Sequence, residues 1–92
     1  MALLDNDQIT ENLKTLDGWR RQGDEIVREF EFDDFIGSVK FVDAVVEPAE
    51  RMGHHPDLAI SWNKVTVSIS THSEGGLTAA DFELAAEISD LA

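Results

Sequence analysis

The chain has 92 residues, enough for one compact domain, and its 19 acidic and 7 basic residues give a net charge of −12. This acidity argues against nucleic acid and against an anionic membrane surface as partners. The absence of cysteine excludes disulfides and thiol chemistry, and no apolar stretch is long enough to cross a bilayer. We expect a single domain over residues 1–92, with no signal peptide and a cytoplasmic location. The scarcity of lysine leads to the hypothesis of a salt-rich cytoplasm.

The first third of the chain predicts a helix and a β-hairpin. Residues 5–7 can cap a helix whose apolar residues follow at helical spacing up to Leu16. Residues 19–21 and 25–32 then predict two strands joined by a glycine-containing turn. The hairpin implies that these strands pair antiparallel.

The longest predicted helix follows Asp33 and Asp34, which can cap it, and ends at Gly53. Its predicted apolar stripe consists of Phe35, Val39, Val42, Val45 or Val46, Ala49 and Met52. Three residues off that stripe are candidates for an oligomer contact: Phe41, Ala44 and Val46. Pro48 lies inside the helix, so we expect it to kink the last turns or to divide the helix.

The second half of the chain predicts another hairpin and a final helix. Apolar residues alternate from Leu58 to Trp62 and again from Val65 to Ile69, with a tight connection between them. Trp62 is either a wall of a pocket or part of the core, and its parity with Leu58 favours the core. Residues 78–81 resemble a capping box that begins the final helix. The order αββαββα predicts an α+β fold, with a four-stranded antiparallel sheet and helices packed on one face.

All three histidines, His54, His55 and His72, lie in two loops that each follow a regular element. Histidine titrates near neutrality, so this placement indicates a site for acid–base chemistry. The alternative is that the histidines are surface residues, two of them at a helix C-terminus where the dipole favours their charge. A metal site is disfavoured, because adjacent side chains on an extended backbone project in opposite directions.

The stretch Glu50-Arg-Met-Gly-His-His-Pro56, followed by Trp62, His72 and Asp81, resembles the signature of pterin-4a-carbinolamine dehydratases. The resemblance covers nearly the whole chain. It implies a hydro-lyase that removes water from 4a-hydroxytetrahydropterin to give quinonoid dihydropterin, in pterin recycling. It further implies no metal and no cofactor, a small-molecule pterin as substrate, and a homodimer or homotetramer.

The resemblance also implies roles for individual residues. His54 and His72 are the acid/base pair, His55 binds or orients the pterin, and Glu50 and Asp81 support the histidines. The remaining residues at the edge of the pterin pocket are Pro56, Thr71, Ser73 and Glu74. Glu50 lies one helical turn before His54 and is either the hydrogen-bond partner of an imidazole or a solvated carboxylate. Asp81 is expected to support His72, to be the N3 acid of the last helix, or to do both.

Two other functions remain open from the sequence. One is a non-catalytic, oligomeric binding or regulatory module, which would need an exposed apolar helix face. The other is an accessory protein of a different pterin pathway, such as molybdopterin metabolism. The chemistry of catalysis needs the three histidines, and the binding role does not.

Overall fold

The computed structural model describes residues 2–92, and within them the chain forms three α-helices and a four-stranded sheet. The elements are α1 (Asn6–Leu13), β1 (Arg20–Gln22), β2 (Glu25–Glu31), α2 (Phe35–Met52), β3 (Asp57–Ser61), β4 (Lys64–Ile69), a 3₁₀ turn (His72–Glu74) and α3 (Ala79–Leu91). The strand order is β1-β2-β4-β3, and every neighbouring pair is antiparallel. The predicted αββαββα order, the antiparallel sheet and the helices on one face are confirmed.

The pairing of β3 with β4 determines where the two histidine loops lie. Asp57, at the start of β3, pairs with Ser68 near the end of β4. The loop that precedes β3 and the loop that follows β4 therefore emerge at the same end of the sheet. Residues 53–56 and residues 70–78 are neighbours in space although they are separated along the chain by a complete hairpin.

The core lies between the sheet and the helices. Its members from the sheet, Ile26, Phe30, Val65, Val67 and Ile69, pack against Phe41 and Val45 of α2 and against Leu84, Ala85 and Ile88 of α3. Burial of each such large side chain contributes about 1.5–3 kcal/mol. The Phe30 and Phe41 rings are 4.7 Å apart between centroids. The core anchors α2 and α3, and both helices end or begin at the histidine loops.

The buried stripe of α2 differs from the predicted one. Phe41, predicted to be available for an oligomer contact, is in the core, whereas Phe35 and Val46 are exposed. Phe41 is drawn inward because its ring packs against Phe30 of β2 and against Phe32, which follows that strand. Apolar residues cover more than one face of this helix, so its periodicity is compatible with two stripes, and the sheet beneath it selects between them.

Helix α2 continues unbroken through Pro48, so of the two expected effects of this proline, a kink or a division of the helix, the division is wrong. Its ends are as predicted: Asp34 caps the first turn by accepting a hydrogen bond from the Gly37 amide at 2.7 Å, and Gly53 ends it with a left-handed φ of 60°. The capping box at Thr78 and Asp81 is also confirmed. Local hydrogen bonding thus sets where α2 ends and where α3 begins.

The predicted core position of Trp62 is wrong. Strand β3 is at the sheet edge, and Leu58 and Ile60 are both exposed. Trp62 lies in the β3–β4 turn with φ of 52°, and 69% of its surface is accessible. The parity argument fails because this face of the edge strand is left uncovered, and at Trp62 the turn also ends the alternation of the strand.

The surface between α2 and α3 carries an ion-pair network. Arg51 pairs with Glu47 on its own helix and with Glu87 on α3. Hydrogen bonds to Glu47 and Glu87 raise the pKa of the Arg51 guanidinium above its usual range. Within residues 2–92, no helix is long and apolar enough to cross a membrane.

Candidate active site

His54 is held at the end of α2 and turned toward the start of α3. Its amide donates to the Ala49 carbonyl at 3.0 Å, which continues the hydrogen bonding of the helix beyond Gly53. Its side chain Nε2 lies 2.5 Å from Asp81 Oδ1. The His54 side chain is 15% exposed and the Asp81 side chain is fully buried. The pair therefore joins one buried carboxylate to an imidazole that reaches the surface.

Asp81 is surrounded by hydrogen-bond donors. Its Oδ2 accepts from the Thr78 amide at 2.7 Å and from the Thr71 hydroxyl at 2.9 Å, while its Oδ1 faces His54. An ionised carboxylate only accepts hydrogen bonds, so this set of donors matches the charged form. Within the described part of the chain, no buried side-chain nitrogen or oxygen lacks a partner.

This arrangement selects one tautomer of the neutral His54 ring. Because Nε2 faces a carboxylate, Nε2 carries the proton and Nδ1 is left as an acceptor. No hydrogen bond joins Nδ1 to any group in residues 2–92. An imidazole held in this way can take a proton at Nδ1 while Asp81 stabilises the cation that forms.

A cleft of about 420 Å³ opens beside His54. Its walls include four predicted site residues, His54, Thr71, Ser73 and Glu74, and it lies between the end of α2 and the start of α3. The topology of β3 and β4 accounts for this assembly, since it places the two loops side by side.

His55 belongs to a different depression. Its Nε2 lies 2.5 Å from Glu50 Oε2, and both side chains are more than 60% exposed. Of the two interpretations of Glu50, the structure supports the hydrogen-bonded one, with His55 as the partner. The pair borders a shallow apolar groove of about 170 Å³ between α2 and β3, which Pro56 and Leu58 also line. The predicted site residues other than His72 and Asp81 are thus divided between two depressions.

His72 does not contact Asp81, so the expectation that Asp81 supports His72 is wrong. The 3₁₀ turn directs His72 outward, where its side chain is 76% exposed and its Nε2 is 4.0 Å from Asp57 Oδ2. Asp81 lies instead beneath Thr71 and serves both as the N3 acid of α3 and as the partner of His54. Asp57 was not predicted, although the expected hairpin places the start of its strand beside the end of the next.

Sequence analysis also missed the hydroxyl pair beneath the site. Thr71 Oγ1 and Thr78 Oγ1 are 2.9 Å apart and buried. A buried threonine that follows a strand gives no distinct signal in a single sequence, because threonine is common in strands for its shape alone. Within residues 2–92, no group of three or more His, Cys, Asp or Glu side chains could hold a metal ion.

Comparison with known proteins places this geometry in a family. A family model described as pterin 4 alpha carbinolamine dehydratase matches residues 2–91. The chain belongs to this family. Proteins named "Putative pterin-4-alpha-carbinolamine dehydratase" are 52% identical in Thermosynechococcus vestitus, over 91% of this chain and 88% of the relative, and 50% identical in Roseiflexus castenholzii, over 98% and 97%.

Solved structures agree with the family fold. The crystal structure of a transcriptional coactivator/pterin dehydratase from Brucella melitensis superposes with a TM-score of 0.95 and 33% identity, covering 99% of each chain. A pterin dehydratase-like protein described as a RuBisCO assembly factor in the alpha-carboxysome has a TM-score of 0.64 and 20% identity, covering 79% of this chain and 84% of its own. The second likeness is one of fold alone. The dehydratase family fold therefore occurs in proteins described by different functions.

Proposed function

We propose that the chain is a 4a-hydroxytetrahydropterin dehydratase, a hydro-lyase that forms quinonoid dihydropterin in pterin recycling. The observation that carries the proposal is the contact between His54 Nε2 and buried Asp81 Oδ1, at 2.5 Å, beside an open cleft. Membership in the dehydratase family supports the choice of substrate class.

His54 is the proton acceptor in this proposal. As the C4a–O bond breaks, the N5 lone pair forms the C4a=N5 double bond, and the N5 proton passes to His54 Nδ1. The Asp81 carboxylate stabilises the resulting imidazolium, which is a role that suits a buried, fully hydrogen-bonded acceptor.

His72 is the proton donor for the departing hydroxyl, which leaves as water. Its ring is exposed and can turn toward a bound substrate. Elimination of water changes no oxidation state overall, so the reaction requires neither a cofactor nor a metal. His55, with Glu50, and Pro56 bind one edge of the pterin, and the backbone of Thr71, Ser73 and Glu74 binds another.

The test is an assay of water loss from a chemically defined 4a-hydroxytetrahydropterin, followed by the absorbance of quinonoid dihydropterin. We expect wild-type protein to accelerate the reaction over buffer. His54→Ala and His72→Ala should each lower kcat by roughly 10²–10⁴-fold, the range of general acid–base catalysis. The exposed His55→Ala variant should mainly raise KM. A wild-type rate equal to that in buffer, at the salt concentration of greatest stability, would reject the proposal.

A second candidate is an oligomeric binding module. The exposed apolar residues at the β3 edge of the sheet, which we call the open side, favour it. Leu58, Ile60 and Trp62 are exposed on or beside the edge strand β3, and Val46 of α2 is exposed beside the groove. A soluble monomer rarely leaves such a set of large apolar side chains uncovered. We infer that the chain forms a homodimer or homotetramer through this side.

Light scattering distinguishes these states. We expect a mass at least twice the 10.2 kDa of one chain, and Ile60→Asp should reduce it. A wild-type mass of one chain at all concentrations would reject self-association. Self-association together with an inactive wild-type protein would favour the binding module, and activity only on another pterin would favour the accessory role.

A further inference from the structure

Thr71 lies at the junction of the two histidine loops. Its amide donates to the Gly76 carbonyl at 2.9 Å, and its carbonyl accepts from the amides of Glu74 and Gly75 at 3.0 and 3.1 Å. These backbone bonds close the turn that carries His72. The Thr71 side chain makes its own contact with buried Asp81, the partner of His54. Thr71 thus contributes both to the turn that carries His72 and to the hydrogen bonding of the carboxylate that faces His54.

The direction of each hydrogen bond at Thr71 follows from its partners. The Asp81 carboxylate has no proton to give, so the Thr71 hydroxyl donates to Oδ2 at 2.9 Å. The Thr78 hydroxyl, 2.9 Å away, then donates to Thr71 Oγ1. Thr71, Thr78 and Asp81 are all buried, so water does not readily replace these bonds.

We propose that the Thr71 hydroxyl is a positioning group for His54, acting through Asp81. The proposal rests on the proposed function, in which His54 is the base. Without this hydroxyl, Oδ2 keeps only the Thr78 amide as a donor. The carboxylate then has one anchor fewer and can rotate about its Cβ–Cγ bond, which moves Oδ1 away from His54 Nε2.

Thr71→Val tests this directly, because it keeps the shape of the side chain and every backbone bond of the turn. We expect kcat to fall roughly 10- to 100-fold with KM nearly unchanged, the range for a hydrogen bond to a charged group. Thr71→Ser restores the hydroxyl and should restore most of kcat. Thr66→Val is the matched control, since Thr66 lies in the middle of β4, paired with Glu29 and Ala59, and makes no side-chain hydrogen bond. Equal rates for the Val and Ser variants would overturn the proposal.

A second readout is independent of any pterin. In nitrogen-15 NMR at pH 8, the His54 ring of the wild-type protein should show a proton on Nε2, shifted downfield by its bond to Asp81. Thr71→Val should broaden this signal or move it upfield, and Thr71→Ser should retain it. A loss of packing alone would lower stability without changing this resonance selectively.

The outcomes separate failure of this inference from failure of the proposed function. An inactive wild-type protein whose Nε2 proton still responds to Thr71→Val would reject the dehydratase function and keep the positioning role. An active protein whose kcat and Nε2 signal are indifferent to Thr71→Val would reject the positioning role alone. Should the valine variant not fold, Thr71→Ser and Thr71→Cys provide a near-isosteric pair that differs in donor strength. Equal rates and signals for that pair would equally overturn the proposal.

Discussion

The molecule contains two histidine–carboxylate pairs with the same contact distance and opposite surroundings. His54–Asp81 and His55–Glu50 are each joined at 2.5 Å, yet Asp81 is fully buried and Glu50 is mostly exposed. Asp81 also accepts two further hydrogen bonds from the chain, from Thr71 and from the Thr78 amide. Water competes for Glu50 and His55, whereas it is excluded from Asp81. The contact distance therefore does not show which pair is the stronger, whereas burial does.

The difference divides the site into a rigid half and an adaptable half. The His54 half is built from the end of α2 and the start of α3, and the core anchors both helices. The His55 half borders an open apolar groove beside the edge strand β3. A base that removes a proton from the substrate benefits from a fixed geometry, and recognition of a flat ligand or of a second chain tolerates an adjustable one. This division matches the roles that we propose for the two adjacent histidines.

The largest expected effect is the loss of stability on removing the buried carboxylate, compared with removing the exposed one. Asp81→Ala removes the buried acceptor of three contacts, from His54, Thr71 and Thr78, and should lower the free energy of unfolding by about 3–5 kcal/mol. Glu50→Ala should change it by less than about 1 kcal/mol, because an exposed pair contributes little. Urea unfolding measures both. Similar losses for the two variants would contradict the ranking by burial, and Asp81→Asn extends the comparison if the alanine variant is unfolded.

A smaller effect is expected at Trp62, on the open side. Its left-handed backbone, with φ of 52°, is unfavourable for a tryptophan and is tolerated by asparagine. Trp62→Asn should therefore raise the stability of the protomer by about 0.5–1 kcal/mol and weaken self-association. Thermal unfolding at several protein concentrations separates the two effects. A loss of stability that is independent of concentration would show that Trp62 packs within its own chain.

The smallest effect concerns salt and the coupling within each pair. A double-mutant cycle should give a coupling of about 0.2–1 kcal/mol for His55–Glu50, and molar KCl should remove it. The coupling of His54–Asp81 should persist in the same salt, since ions do not enter a buried contact.

The stability of the whole chain, with its net charge of −12, should rise with salt if the source is halophilic. Unfolding midpoints that do not respond to salt would reject that hypothesis.

Several local features of the fold could be predicted from the sequence because they depend on residues that are close together along the chain. The cap at Asp34, the end of α2 at Gly53 and the capping box of α3 depend on interactions over three or four residues, and all three predictions are confirmed. The histidine motif led to the family by the spacing of its residues. Its three histidines lie at one end of the sheet, as the hairpin order implies.

The errors share a different cause. Phe41 was assigned to the outside and Trp62 to the inside because each assignment used periodicity within a single element. Phe30 of β2 and the following Phe32 draw Phe41 inward, and the edge position of β3 leaves its apolar face uncovered. Neither fact can be read from the residues of α2 or β3 by themselves.

The sequence by itself determined the order of the elements, their caps and the family, since local hydrogen bonding, periodicity and motif spacing are properties of short segments. Only the tertiary structure decided that Asp81 serves His54 rather than His72. Asp81 and His54 are 27 residues apart in the sequence, and their contact depends on how the end of α2 meets the start of α3 over the sheet. The choice of partner for a buried carboxylate is made by packing between distant elements, because packing decides which donor reaches it when water is excluded.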